Sequence, residues 1–368
     1  MKYKTANTVR KLIGLFLSSI VLACQSGKIT QPGRGDIIIF RNASIRPGGA
    51  IYFLALDGSA PIQLPDNSTS ITCPIVSPDG QRIAFVRTTS ADQAGAVSVM
   101  DIDGRNISPV TPPSFSRNAP ANASSGPNPN WQLGCPAWSA DSKRLSVFRH
   151  IGQSKAAGTS ELYSINADGT NLKLLATGDA FDAVAWSPVG ERILLNSHLY
   201  TDGGPYGFAT SIVNADGSGT RPVAKSVAGL GWAPSGSMIA VLCGRNYTIG
   251  DRQLCVGDPD GVVVAVTDTS AGATDPTWSP DGTRIAFGCR SAVCLINPDG
   301  SAFQRFTAGA AFEPAPTWSP DSKRIAYVCG ATPTARTICI MNADGSDART
   351  LVTLPGENSD VSWVTRSQ

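Results

Sequence analysis

WSPDGTRIAFGCRSAVCLINPDGSAFQRFT, residues 278–307, holds one complete unit of a pattern that runs the length of this chain. Trp278 ends a short strand, and Ser279-Pro280-Asp281-Gly282 makes a turn in which proline fixes φ and glycine tolerates a positive φ. Arg284-Ile285-Ala286-Phe287 then alternates sides as a second strand. Val293-Cys294-Leu295-Ile296 supplies a third strand, Asn297-Pro298-Asp299-Gly300 another turn, and Phe303 to Phe306 a fourth strand. Asp-Gly between alternating strands predicts a type I′ hairpin, whose two central residues need positive φ. One unit therefore reads as a four-stranded antiparallel sheet.

The first half of the unit recurs as VSPDGQRIAFV (76–86), WSADSKRLSVF (138–148), WSPVGERILL (186–195), WAPSGSMIAVL (232–242) and WSPDSKRIAYV (318–328). The second recurs as Asp-Gly at 57, 103, 168, 216, 260, 299 and 344. Self-similarity at about 40 to 50 residues, with strands between the marks, is the signature of propeller blades. A small sheet leaves one face uncovered, so neighbouring blades must pack face to face. Trp138, Trp186, Trp232, Trp278, Trp318 and Trp363 are the expected fillers, with Val76 in that place in the second blade. These tryptophans are core and carry no binding role.

The two ends complement each other. Asp36 to Phe40 and Ala50 to Leu56 form a blade without an inner strand, and Asp360-Val361-Ser362-Trp363 an inner strand without a blade. Pairing them would close the ring and remove an exposed edge. The expected fold is all-β, a seven-bladed β-propeller closed by its N- and C-terminal strands, with six blades as the alternative.

Lys2, Lys4, Arg10 and Lys11 precede an apolar run from Leu12 to Leu22, too short for a stable spanning helix and typical of a secretory signal. Val21-Leu22-Ala23-Cys24 resembles a bacterial lipobox, with Cys24 as the lipidated residue; an ordinary signal peptide that happens to contain a cysteine is the alternative. The expected organisation is a lipoprotein signal peptide over 1–23, lipidated Cys24 and a polar tether to 35, and the propeller over 36–368. Several acyl chains anchor a protein stably, which places it in the cell envelope, on the periplasmic side of the outer membrane in a two-membrane bacterium. Taking the signal's four basic residues from the 30 Lys and Arg leaves 26 against 28 Asp and Glu. Near neutrality argues against a nucleic-acid partner.

With Cys24 set aside, eight of the nine cysteines remain. Cys243 with Cys255, Cys289 with Cys294, and Cys329 with Cys339 fall on the second and third strands of single blades, where hairpin neighbours reach disulfide distance. Cys73 and Cys135 stand at matching places on adjacent inner strands, which makes a bridge between them plausible. An exported chain oxidises such pairs. The alternative, a zinc site, finds no CxxC and two histidines only.

His150 and His198 each end a second strand and read as rim or packing residues. No GxSxG, HExxH or phosphate-cradling glycine loop occurs. The Asn-x-Asp-Gly turns lack the closing glutamate and the length of a calcium loop. No catalytic residue, metal or cofactor is therefore expected. Asp182, Asp275, Glu313 and Asp360 stand where inner strands begin, either lining one channel mouth or capping those strands. A further candidate is Trp131, within the Pro-, Asn- and Ser-rich insertion from Pro112 to Gly134: it serves as a binding anchor or folds back on the scaffold.

WSPDGTRIAF and LYSINADGTNL (162–172) resemble the TolB-type propeller repeat, a WD-repeat-like unit also found in prolyl-oligopeptidase-like proteins. The resemblance covers nearly all of residues 36 to 364. It implies an envelope propeller that holds protein or peptide partners. The expected function is accordingly a non-enzymatic, monomeric, lipid-anchored scaffold for an envelope protein or peptide. The alternatives are a carbohydrate-active propeller resembling oligogalacturonate lyase, which would need clustered histidines around a metal, and a noncatalytic glycan-binding module.

Overall fold

Strand content follows the repeat unit by unit. The computed structural model describes residues 35–43, 49–57, 59–64, 70–88, 95–113, 115, 133–151, 159–199, 207–224, 228–244, 252–268, 270–306, 314–330, 336–352 and 358–365. Within them 28 strands form seven four-stranded antiparallel sheets, each taken up in sequence order from inner to outer strand apart from the first. Blade six, for example, runs Ala273–Trp278, Ile285–Cys289, Val293–Ile296 and Gln304–Phe306. The seven-blade count stands, and the six-blade alternative falls.

Blade one joins the two ends of the chain. Its inner strand is Asn358–Thr365, hydrogen-bonded to Asp36–Asn42, which in turn pairs with Ala50–Ala55. Ile37 stands opposite Val364 and Ile38 opposite Trp363. Side chains lock this register at both ends: the buried Asn42 Nδ2 donates to Asn358 Oδ1 at 2.9 Å, and Thr365 Oγ1 to Asp36 Oδ1 at 2.6 Å.

Period-two alternation explains where the core lies. In blade six, Ile285, Phe287, Cys294 and Ile296 pack with Leu254 and Val256 of blade five, whereas Ala286, Val293 and Leu295 pack with Ile325 and Tyr327 of blade seven. Each of the seven hydrophobic clusters fills one seam between neighbouring blades.

Six of the seven seams carry a further device. The indole N–H of Trp138, Trp232, Trp278 and Trp318 donates to a backbone carbonyl of the preceding blade, at Ile75, Ala185, Gly231 and Thr277 respectively. The arginine that follows each first turn reaches across the same seam: Arg82 stacks on Trp138, Arg144 on Trp186, Arg192 on Trp232, Arg284 on Trp318 and Arg324 on Trp363, at 4.9 to 5.3 Å from the ring centroid. Where Met238 replaces arginine, it packs against the cluster around Trp278. Where Val76 replaces tryptophan, Asp36 stands in the arginine's place and pairs with Arg324 of blade seven at 2.6 Å.

The Asp-Gly hairpins differ from expectation. In five of them, at Gly104, Gly169, Gly217, Gly300 and Gly345, the glycine alone of the Asp-Gly pair has positive φ, 86° at both Gly169 and Gly300. Gly169 N–H donates to Asn166 O, and Asn166 N–H to Thr170 O. Ala167 and Asp168 thus form a type I turn closed by a left-handed glycine, the bulged hairpin rather than the type I′ turn. The Asp side chain selects it: Asp168 Oδ1 accepts from Thr170 N and Oγ1 at 2.9 and 2.6 Å.

Candidate functional site

The inner strands do not run straight into the channel. Register shifts interrupt their pairing between Thr72 and Ile75, Phe181 and Ala183, Ala228 and Leu230, and Thr274 and Thr277, and in blade one opposite Ile39 and Arg41. Several bulge residues are left-handed without being glycine: Cys73 at φ 53°, Asp275 at 47° and Asp360 at 53°, with Ala315 at 41° in the equivalent place of blade seven. Each stands three residues before the tryptophan or valine that fills its seam. Backbone held in this region costs about 1 to 3 kcal/mol per residue and persists where the surrounding structure dictates it.

The disulfide between Cys73 and Cys135 shows how this position is disposed. Its Cα atoms are 5.3 Å apart, so the equivalent residues of adjacent inner strands face one another around the channel. Asp275 and Asp360 occupy the same position in blades six and one and are exposed; Asp182, one residue earlier in blade four, is exposed as well. The geometry brings these three sequence-predicted acids to the start of inner strands on one end of the ring. Asp360 accepts from Ser359 Oγ at 2.8 Å and lies 3.8 Å from Arg41 Nη1. Arg41 is held by its Nε–H donating to Ile71 O at 2.7 Å. Glu313, Trp131 and Cys24 lie outside the described residues.

The remaining cysteines are bonded in the expected pairs, Cys243–Cys255, Cys289–Cys294 and Cys329–Cys339, with Cα separations of 5.9 to 6.0 Å. His150 is engaged in packing: Nδ1 lies 2.6 Å from Ser160 Oγ, and the ring meets Phe148 edge-on at 5.7 Å. His198 stands opposite Phe208 in blade four. Among the described residues, no three His, Cys, Asp or Glu side chains are arranged to hold a metal ion.

The Ser-x-Asp turns at the other end of the ring are self-satisfied. Ser139 Oγ–H donates to Asp141 Oδ1 at 2.6 Å and Ser319 Oγ–H to Asp321 Oδ1 at 2.5 Å, and these hydroxyls hold both carboxyls below the ordinary value of 3.8. Ser142 and Ser322 stand where other turns have glycine and adopt φ of 59°. Their hydroxyls accept from the backbone N–H of Asp79 and Asp281 in the preceding blade, at 3.0 and 3.1 Å. Sequence reading missed these contacts and the arginine stacks. The fixed interval between turn and arginine was the available signal.

Fold and mouth together define a closed seven-bladed propeller with acids at one opening. No family model matches the chain. It is 30% identical over 150 residues to a protein TolB homolog of Chlorobium luteolum, spanning 39% of this chain and about a third of that relative's length. The structure of TolB from Acinetobacter baumannii superposes with a TM-score of 0.51 at 15% identity, over 89% of this chain and 82% of that one. Oligogalacturonate lyase from Vibrio parahaemolyticus gives 0.60 at 13% identity, over 80% and 83%. Identities this low speak for the fold alone. The repeats of this chain are TolB-like, and its architecture is the seven-bladed propeller.

Proposed function

We propose that this protein is a non-enzymatic, lipid-anchored propeller of the bacterial cell envelope, monomeric, that holds a protein or peptide partner at its channel mouth. The carrying observation is the mouth itself, where strained inner-strand bulges in a closed ring present exposed Asp275 and Asp360. Side chains set on rigid elements bind with little loss of conformational freedom. The similarity to a TolB homolog supports an envelope propeller. Four disulfides support an oxidising compartment. Lipidation at Cys24, and with it the outer-membrane location, rests on the lipobox-like Val21-Leu22-Ala23-Cys24.

The test is photo-crosslinking in cells from residues placed at Asp275 and Asp360, with exposed Leu174 as a control on an outer strand. One defined envelope protein, captured from the mouth and not from Leu174, is the expected product. Capture of glycan, or equal capture from all three positions, would transfer the site to the carbohydrate-binding alternative or away from the mouth.

A further inference from the structure

We propose that the outer groove between blades five and six binds an extended acidic peptide segment of a partner protein. This site is separate from the channel mouth and does not depend on that reading. Beyond the fourth strand of blade five, Val263–Ala265, the outer part of the seam toward blade six is open. The resulting cleft has a volume of about 620 Å³ and is lined by Val266, Asp268, Cys289, Arg290, Phe303 and Arg305, among others. That volume lies within the range of ligand pockets.

Apolar surface lies in and beside the groove, with Val266 and Phe303 in its lining and Val262 and Val264 just before Val266 in the chain. Val262, Val264 and Phe303 are 75%, 55% and 51% exposed, and they are three of the six exposed large hydrophobics among the described residues. Val264 and Val266 lie two apart and so share the side of the strand that faces blade six. Phe303 lies 6.5 Å from Phe287, which packs toward blade five. Outer strands ordinarily carry charges that discourage pairing with other chains. Lys173, Arg221, Arg305 and Arg349 supply them in blades three, four, six and seven, whereas 262–266 reads Val-Val-Val-Ala-Val.

Charge selects the occupant. Arg290 and Arg305 flank the apolar floor, and neither is ion-paired with a described residue. Arg305 Nη2 donates to Arg290 O at 3.1 Å. The groove's own acid, Asp268, is exposed and lies within reach of the Arg290 charge, its Oδ1 also accepting from Ser270 N and Oγ at 2.9 and 2.5 Å, so the two guanidiniums leave the lining with one positive charge in excess. Arg290 and Ser291 are both left-handed, at φ 46° and 61°, in a hairpin tied by Cys289–Cys294. The backbone that carries Arg290 is therefore set before a ligand arrives, which lowers the entropic cost of binding. Within the sheet, Gln304–Phe306 is hydrogen-bonded on its inner side only, to the strand that holds Val293–Leu295. A peptide can add to that free edge through its backbone, place an apolar side chain against Phe303 and Val264, and set carboxylates on the two guanidiniums. A second copy of this chain would bring arginine to arginine.

The test uses the full chain in detergent and three fluorescein-labelled peptides of equal length, alternating Glu with Phe, Lys with Phe, and Glu with Ser, read by fluorescence anisotropy. Saturable binding of the Glu/Phe peptide is expected, falling with added salt and weakened roughly tenfold in Arg290→Gln/Arg305→Gln and in Phe303→Ser. Asp275→Asn should bind as the parent does. A photo-reactive residue at Val264 should label the bound peptide, a readout that needs no destabilising variant. Absence of saturable binding, equal binding of the Lys/Phe peptide, no labelling from Val264, or a dimer in sedimentation that Phe303→Ser dissolves would overturn the proposal.

Discussion

Ser319 shows how much one hydroxyl does in this repeat. It is fully buried, donates to Asp321 and accepts from Arg324 N–H at 2.8 Å. Ser319→Ala leaves that N–H and the carboxylate without this partner, at a cost of about 2 kcal/mol, checked by the shift in urea midpoint. The turn itself should survive, because Ala233 already occupies this place in blade five with Ala233 N–H to Met238 O and Gly236 N–H to Ala233 O intact. The same hydroxyls set an acid limit. Asp141 and Asp321 have folded pKa values depressed below 3.8, so their contribution is present above that value and is lost as the pH falls through the folded pKa. Melting temperature should therefore drop on acidification below roughly pH 4, and less steeply in a Ser139→Ala/Ser319→Ala variant. Both aspartates are mostly solvent-exposed, so the effect is modest. Serine, aspartate and arginine at fixed spacing were visible in the sequence. What they bond was not, because the arginine's partner lies a blade away.

The four disulfides divide into two kinds. Cys289–Cys294 closes a sequence separation of 5 within one hairpin, whereas Cys73–Cys135 closes a separation of 62 between inner strands of adjacent blades. On chain-entropy grounds the long loop contributes about 4 kcal/mol and the short one about 2. Replacing Cys73 and Cys135 by serine should thus cost about twice as much as replacing Cys289 and Cys294, measured by chemical denaturation without reductant. The three hairpin pairs were legible because strand neighbours follow from the repeat. The Cys73–Cys135 bridge was legible only as matching positions; the bulge that turns Cys73 toward its neighbour depends on inner-strand register. The Asp-Gly hairpins were misread in type because the side-chain caps on Thr170 and its equivalents favour a type I turn with a trailing glycine.

Closure governs the whole ring. Deleting 358–368 removes Trp363 and Val364 from two hydrophobic clusters and uncovers the edge of Asp36–Asn42. At about 1.5 to 3 kcal/mol per buried side chain, those two alone contribute about 5 kcal/mol, and a lowered melting temperature together with a concentration-dependent loss of solubility is expected. An unchanged melting temperature would sink the closure argument. Cys24→Ser should move the protein from the membrane fraction to the soluble fraction, and retention after a carbonate wash would contradict lipid anchoring. By itself, the sequence determined the propeller repeat, the strand order within each blade, the complementary ends and the hairpin disulfides, and it favoured seven blades over six. These follow from short-range patterns repeated seven times, so neighbouring copies confirm one another. Only the tertiary structure decided which arginine stacks on which tryptophan, that Asp275 and Asp360 sit on left-handed inner-strand bulges, and that a groove with Arg290, Arg305 and Phe303 in its lining opens between blades five and six. Those relations depend on how each blade is set against the next, and packing fixes that setting across residues far apart in the chain.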